Sequence, residues 1–179
     1  MKKLFLMIIP ALICGVFVSC DKQSTVNDFT DWTNKPVELR DHNRNKISVT
    51  EGICGTLVQR EGDCMPGIIG EVRPNPCKLF PVKREILIYE YTKWNEAVLS
   101  NNSFVFFEKV HTKLIAKTMS DNEGFFEVKI EPGKYSVFAK EKGLLYANLG
   151  DGQGGIAPIT VESSKTSEIN WLQINYAYD

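Results

Sequence analysis

The sequence predicts an all-β fold: a β-sandwich of seven to nine strands with Greek-key connections. Three observations predict it. Residues 113–143 hold three runs of β character divided by two punctuated turns. Short β-branched and aromatic runs recur along the rest of the chain, bounded by Gly, Pro, Asn and Asp. No long stretch carries a helical period. With 179 residues, the chain has room for one domain plus extras. The near-balanced charge lacks the clustered basic patch of a nucleic-acid binder, so no nucleic-acid partner is expected.

The chain opens with Lys2 and Lys3, followed by an almost unbroken apolar run over residues 4–18, then Ser19 and Cys20. A basic start, an apolar run and a small residue before the cut define an export signal. The run is too short for a comfortable permanent span. Phe17-Val18-Ser19-Cys20 resembles the lipobox of bacterial lipoproteins, with Phe17 in place of the usual leucine. Cys14 fits less well, because Ile13 precedes it. Residues 1–19 are thus expected to be a signal peptide and Cys20 the lipidation site. After its removal the chain holds 19 basic and 22 acidic side chains, a formal charge of −3. Acyl chains on Cys20 supply more than one hydrocarbon tail, enough for stable anchoring in a bilayer. The expected location is the cell envelope, at the outer membrane.

Residues 20–51 are polar and read as a flexible tether, reaching on the order of 30 Å by random-coil scaling. Phe29 and Trp32 are exceptions that can pack on the domain, and His42 reads as a solvated linker residue. The sandwich is expected over residues 52–179, with its first strand at 53–60. Residues 61–80 then form a Gly- and Pro-rich loop of a length usually functional, stapled or disordered. Cys64 and Cys77 both lie in it, and a disulfide between them is favoured in an exported protein. In the chain-entropy model, closing such a loop contributes about 3 kcal/mol. Cys54 then remains as a small buried hydrophobe; pairings Cys54–Cys64 and Cys54–Cys77 stay open. Three cysteines without close paired spacing do not match structural zinc.

Residues 82–92 read as a central strand, apolar on both faces at Ile86, Leu87, Ile88 and Tyr89. A helical turn is expected within 94–99, then a short aromatic strand at 104–107. In the 113–143 stretch, Phe126, Val128 and Ile130 alternate with Glu127 and Lys129. Glu131-Pro132-Gly133-Lys134 favours a type II turn with Gly133 at positive φ. Tyr135, Val137 and Ala139 alternate again, so the stretch reads as a β-meander. Strands are expected at 144–148, 156–161 and 167–178, with the Gly-rich loop 150–155 between.

These residues carry a resemblance. Lys117-Thr118 with Gly124-Phe125-Phe126, then Pro132-Gly133-Lys134-Tyr135 and Gly143, resembles the carboxypeptidase regulatory-like, transthyretin-like sandwich. Gly55-Thr56-Leu57-Val58 resembles its opening strand. The Glu61–Pro66 and Arg84–Glu90 stretches with Tyr146-Ala147-Asn148 and 151–154 resemble a narrower group of uncharacterised lipoproteins from gut-type anaerobic bacteria. The resemblance covers residues 53–178 and implies a fold; stand-alone copies imply no established activity. The same sandwich hosts a hydroxyisourate hydrolase, but its Tyr-Arg-Gly-Ser ending is absent here, where the chain closes Asn175-Tyr176-Ala177-Tyr178-Asp179.

No Gly-x-Ser-x-Gly, His-Glu-x-x-His or phosphate loop is present. Asp121, Glu123, Glu131 and Asp151 are loop carboxylates, read first as solvated or turn-forming residues rather than calcium ligands. The aromatics on strands read first as core or cross-strand pairs, and any that face outward beside the 64–77 loop would form a sugar or protein docking surface. The expected function is a non-catalytic, lipid-anchored envelope module that binds a protein or glycan partner, with no cofactor and no metal. Its working surface is expected where loop 61–80 meets loop 150–155. The binding residues named are Asp63, Met65, Arg73, Asn148, Asp151 and Gln153. The rival is a hydrolase-like enzyme using loop carboxylates.

Overall fold

The computed structural model describes residues 30–65, 76–101 and 103–175, and in them β-strands dominate. The small sheet is built on β1 (Gly52–Glu61). On one side β1 pairs in parallel with β11 (Thr166–Asn175), with a register shift between Gly55 and Leu57. Two strands share its other edge end to end. β7 (Phe125–Lys129) lies antiparallel to Gly52–Thr56, and β2 (Lys78–Pro81) lies antiparallel to Val58–Glu61.

The large sheet runs in the order β4 (Ala97–Leu99), β5 (Phe106–Val110), β9 (Leu144–Tyr146), β8 (Gly133–Glu141), β3 (Glu85–Glu90), β6 (Leu114–Met119). β10 (Pro158–Val161) pairs with the first half of β8, beyond the end of β9. All its pairings are antiparallel.

The two sheets face each other across one core. Ile53, Leu57, Phe126 and Ile174 come from the small sheet; Ile86, Ile88, Val137, Ala139 and Tyr146 come from the large one. The period-2 rule explains this selection: Ile86 and Ile88 point inward from β3, and Leu87 between them points the other way. Each fully buried side chain of this kind stabilises by about 1.5–3 kcal/mol.

A second core lies on the reverse face of the large sheet. Phe107, Val110, Phe138, Ala147, Ile156 and Ala157 form it. Phe138 sits between Val137 and Ala139 in sequence and so faces the opposite side from them. Its ring meets Tyr89 at 5.6 Å and Phe107 at 5.7 Å, both edge-on, the arrangement aromatic quadrupoles favour. The chain after β9 returns over this face and closes the patch.

The structure corrects the sequence reading at several places. Eleven strands form among the described residues, against seven to nine expected. β2 and β4 were hidden in segments read as loop and helical turn; the turn itself is a 3₁₀ turn at Trp94–Glu96. The 113–143 stretch is not a meander. β6 and β8 flank β3 on its two sides, and β7 crosses to the small sheet. Local alternation marks strands but carries no information on which strands pair. Gly133 begins β8 opposite Val161 and does not take a positive φ, so the expected type II turn is absent. A side chain at this position would collide with the Tyr135 ring, whose hydroxyl donates to the Glu131 carbonyl at 2.8 Å.

The tether also ends sooner than expected. Residues from Asp31 belong to the same compact unit as the sheets. α1 (Pro36–Arg44) carries Pro at its first turn, which suits a position with no intrahelical N–H partner. Leu39 is its apolar anchor, fully buried with Val58 and Leu79 and packed beside Trp32. Asn43 is buried too, donating to Thr56 Oγ1 at 3.0 Å and to the Glu123 carbonyl at 2.9 Å. A helix of this length is marginal alone. It forms here because tertiary contacts hold it, a term that polar composition does not reveal.

Candidate functional site

Three polar constellations emerge from the fold. The first lies where β1, β2 and β3 come together at the stapled loop. Cys64 and Cys77 are bonded to each other, and Cys54 is a free, buried thiol on β1 whose burial pushes its pKa up to about 11. Asp63 bridges by its main chain to Pro76, and its Oδ1 accepts the Met65 N–H at 3.2 Å. Met65 beyond it is 66% exposed. Beside this turn, buried Glu141 accepts from Arg84 Nε at 2.5 Å. Arg84 Nη2 reaches Gln59 Oε1 at 3.3 Å, and Gln59 Nε2 donates to Glu61. A guanidinium is well suited to this role, since its planar fork serves two acceptors at once.

The second constellation surrounds Asp151. Its Oδ1 accepts the N–H groups of Gln153 and Gly155, each at 2.9 Å, an Asx-type arrangement that folds the Gly-rich loop on itself. Its Oδ2 accepts the Tyr91 hydroxyl at 2.7 Å and Lys134 Nζ at 3.0 Å. Lys134 Nζ also stands 3.8 Å above the Tyr91 ring. The Tyr91 hydroxyl, then the two backbone N–H groups and Lys134, hold the Asp151 carboxyl well below its ordinary range. The same bond raises Tyr91 and Lys134 above theirs. Both oxygens of Asp151 are therefore spent inside the fold. Asn148 is likewise occupied, donating to the Gln173 carbonyl at 3.2 Å. Gln153 is exposed.

The third constellation escaped the sequence reading. Glu123, in the turn between β6 and β7, receives Trp32 Nε1 at 3.2 Å, His42 Nε2 at 3.0 Å and Lys46 Nζ at 2.5 Å. Lys46 also pairs with Asp121 at 2.7 Å. The Lys46 bond is the main cause that lowers Glu123 to about 2, against the opposing pull of burial. This carboxylate is the hub that fastens α1 to the sandwich. His42 is thus not a free linker residue: its ring also lies 5.0 Å from Trp32. The one sequence signal was Trp32, an aromatic out of place in a polar tether.

Of the expected joint surface of loops 61–80 and 150–155, residues 66–75 lie outside the described residues, and the described parts of the two loops sit at opposite ends of β3. Glu61 and Arg84 share Gln59 at one end of β3, and Asp151 meets Tyr91 at the other. From residue 84 to residue 91 is about 23 Å at strand rise. Asp63 and Met65 lie at the stapled end, Asp151 and Gln153 at the other. Cys20 and Arg73 lie outside the described residues. Among the described residues no three His, Cys, Asp or Glu side chains converge as metal ligands would. No family model, no curated protein and no solved structure matches the chain.

Proposed function

We propose that this protein is a non-catalytic, lipid-anchored module of the cell envelope that binds a protein or glycan partner through its disulfide-stapled loop. Within the all-β, two-sheet class, we assign it to the Greek-key, transthyretin-like, carboxypeptidase regulatory-like sandwiches, on the Gly-Phe and Pro-Gly-Lys-Tyr motifs. The observation that carries the functional reading is the joining of two features: an opening of Lys2-Lys3, an apolar run and Ser19-Cys20, and a body stapled by Cys64–Cys77. A disulfide of this kind persists in oxidising compartments outside the cytosol. A two-sheet scaffold that holds Met65 exposed beside the Cys64–Cys77 disulfide suits binding.

The rival hydrolase reading is disfavoured by the state of its carboxylates. Asp151 and Glu123 are held ionised by bonds that saturate their oxygens, whereas a general acid needs a raised pKa. The anchor is tested by fatty-acid labelling in cells that express the protein. Labelled wild type and unlabelled Cys20→Ala support the reading; label retained by Cys20→Ala refutes it. Separation of inner and outer membranes assigns the leaflet, with the outer membrane expected.

A further inference from the structure

Segment 31–51 lies across the outer face of the small sheet. Ile53 and Leu57 of β1 point into the shared core, so Cys54, Thr56 and Val58 point the other way. Leu39 packs on Val58, and Asn43 donates to Thr56 Oγ1 at 3.0 Å. Cys54 stands in register between Glu127 of β7 and Glu168 of β11. Ser48 donates its hydroxyl to Glu127 at 2.5 Å and its N–H at 2.8 Å, and Arg44 Nε donates to Glu168 at 3.0 Å. Cys54 is 1% exposed although it faces away from the core. The fastenings of this segment differ from those of the sheets. Leu39 is its one fully buried apolar side chain, and its polar side chains end mostly on carboxylates. Glu123 takes Trp32, His42 and Lys46; Asp121 takes Lys46; Glu127 takes Ser48 and the Val49 N–H; Glu168 takes Arg44, which also pairs with Asp41 of its own helix. An element with so little buried apolar area opens ahead of the fold that carries it.

We propose that segment 31–51 is a releasable strap: it leaves the small sheet as a unit while the sandwich stays folded, and in leaving it uncovers Cys54 and lengthens the link to Cys20. α1 is too short to persist once detached. The covalent limit on the distance from Cys20 to the body then rises from about 40 Å, ending at Asp31, to about 110 Å, ending at Gly52. The release stands on the fold alone; the added reach rests on the envelope-anchor reading. Acid drives the release. Docked, Glu123 is held at about 2, chiefly by Lys46, against its ordinary 4.5. The released chain therefore binds more protons, and release gains as pH falls between those values.

Cys54 is the reporter. Full-length protein in detergent micelles is treated with 4,4′-dithiodipyridine, a disulfide reagent that reacts in acid. The label at Cys54 is mapped by peptide mass spectrometry, and each rate is divided by that of free cysteine at the same pH. Amide exchange of β3 and β8 is followed in parallel. Labelling should rise about ten-fold from pH 4.5 to 2 while the β3 and β8 amides stay protected. At pH 7, Glu123→Gln should label about ten-fold faster than wild type, and Leu39→Ala at least about thirty-fold faster, again with both strands protected. Labelling that tracks β3 and β8 exchange in wild type and both variants would mean that the strap leaves only with the whole fold, and overturns the proposal. A wild-type rate flat from pH 4.5 to 2, or wild-type labelling in Leu39→Ala, overturns it as well. Failure of the anchor would appear in fatty-acid labelling and leave these rates unchanged.

Discussion

Loop 150–155 and the turn at Cys64 look alike in sequence: both are Gly-rich, polar and irregular. In the fold they differ in what their polar groups face. Asp151 turns both oxygens inward, onto its own backbone, Tyr91 and Lys134. The segment that follows delivers Ile156 to a closed core on the back of the large sheet. The Cys64 turn is held covalently, so it needs little core of its own, and it leaves Met65 in solvent. A loop whose side chains are consumed by the scaffold is a cover. A loop fixed by a staple is held by a covalent bond, and here it leaves Met65 exposed.

This comparison breaks first at Ile156. If the loop is a cover, Ile156→Ala should lose about 2–5 kcal/mol in urea unfolding, the cost of a deleted core side chain. A loss near zero would make the segment an ordinary surface loop. At the stapled end, Cys64→Ser with Cys77→Ser should lose about 3 kcal/mol by the chain-entropy model while far-UV dichroism of the folded protein stays unchanged. A smaller steric effect is expected at Gly155, where an added Cβ would collide with the Tyr91 ring and approach Asp151 Oδ2 at 2.7 Å. Gly155→Ala should lose about 1–3 kcal/mol.

The helix clamp sharpens the contrast through pH. Glu123 has a folded pKa of about 2, below its ordinary 4.5. A lowered carboxylate pKa stabilises the fold above the unfolded value, and that share disappears as pH falls through the folded value. Amide exchange in α1 should therefore accelerate as pH drops from about 4.5 toward about 2, once corrected for intrinsic rates. Glu123→Gln should remove that step. The smallest stability change is expected at Met65: its replacement by Ser should stay within about 0.5 kcal/mol.

The strands were legible because side-chain alternation is local. β1, β3, β7 and β8 announce themselves through Ile53, Ile86, Phe126 and Val137, on the facing inner sides of the two sheets and all in the shared core. Pairing was not legible, because a strand's partner is chosen by residues far away in the chain; β7 crosses sheets with no local mark. α1 was missed because its one fully buried apolar residue, Leu39, packs against Val58 and Leu79, far along the chain, with Trp32 beside them. Of the residues expected to bind a partner, Asp151 and Asn148 are engaged within the fold. Their chemistry serves loop closure, which a carboxylate or amide in a glycine run cannot disclose without its partners.

The central claim is that the stapled end faces the partner and the Asp151 loop does not. A photo-crosslinking residue at position 65, and separately at position 153, in cells that express the protein tests it directly. The account predicts a covalent adduct to an envelope component from position 65 and none from position 153. An adduct from 153 with none from 65 would contradict it.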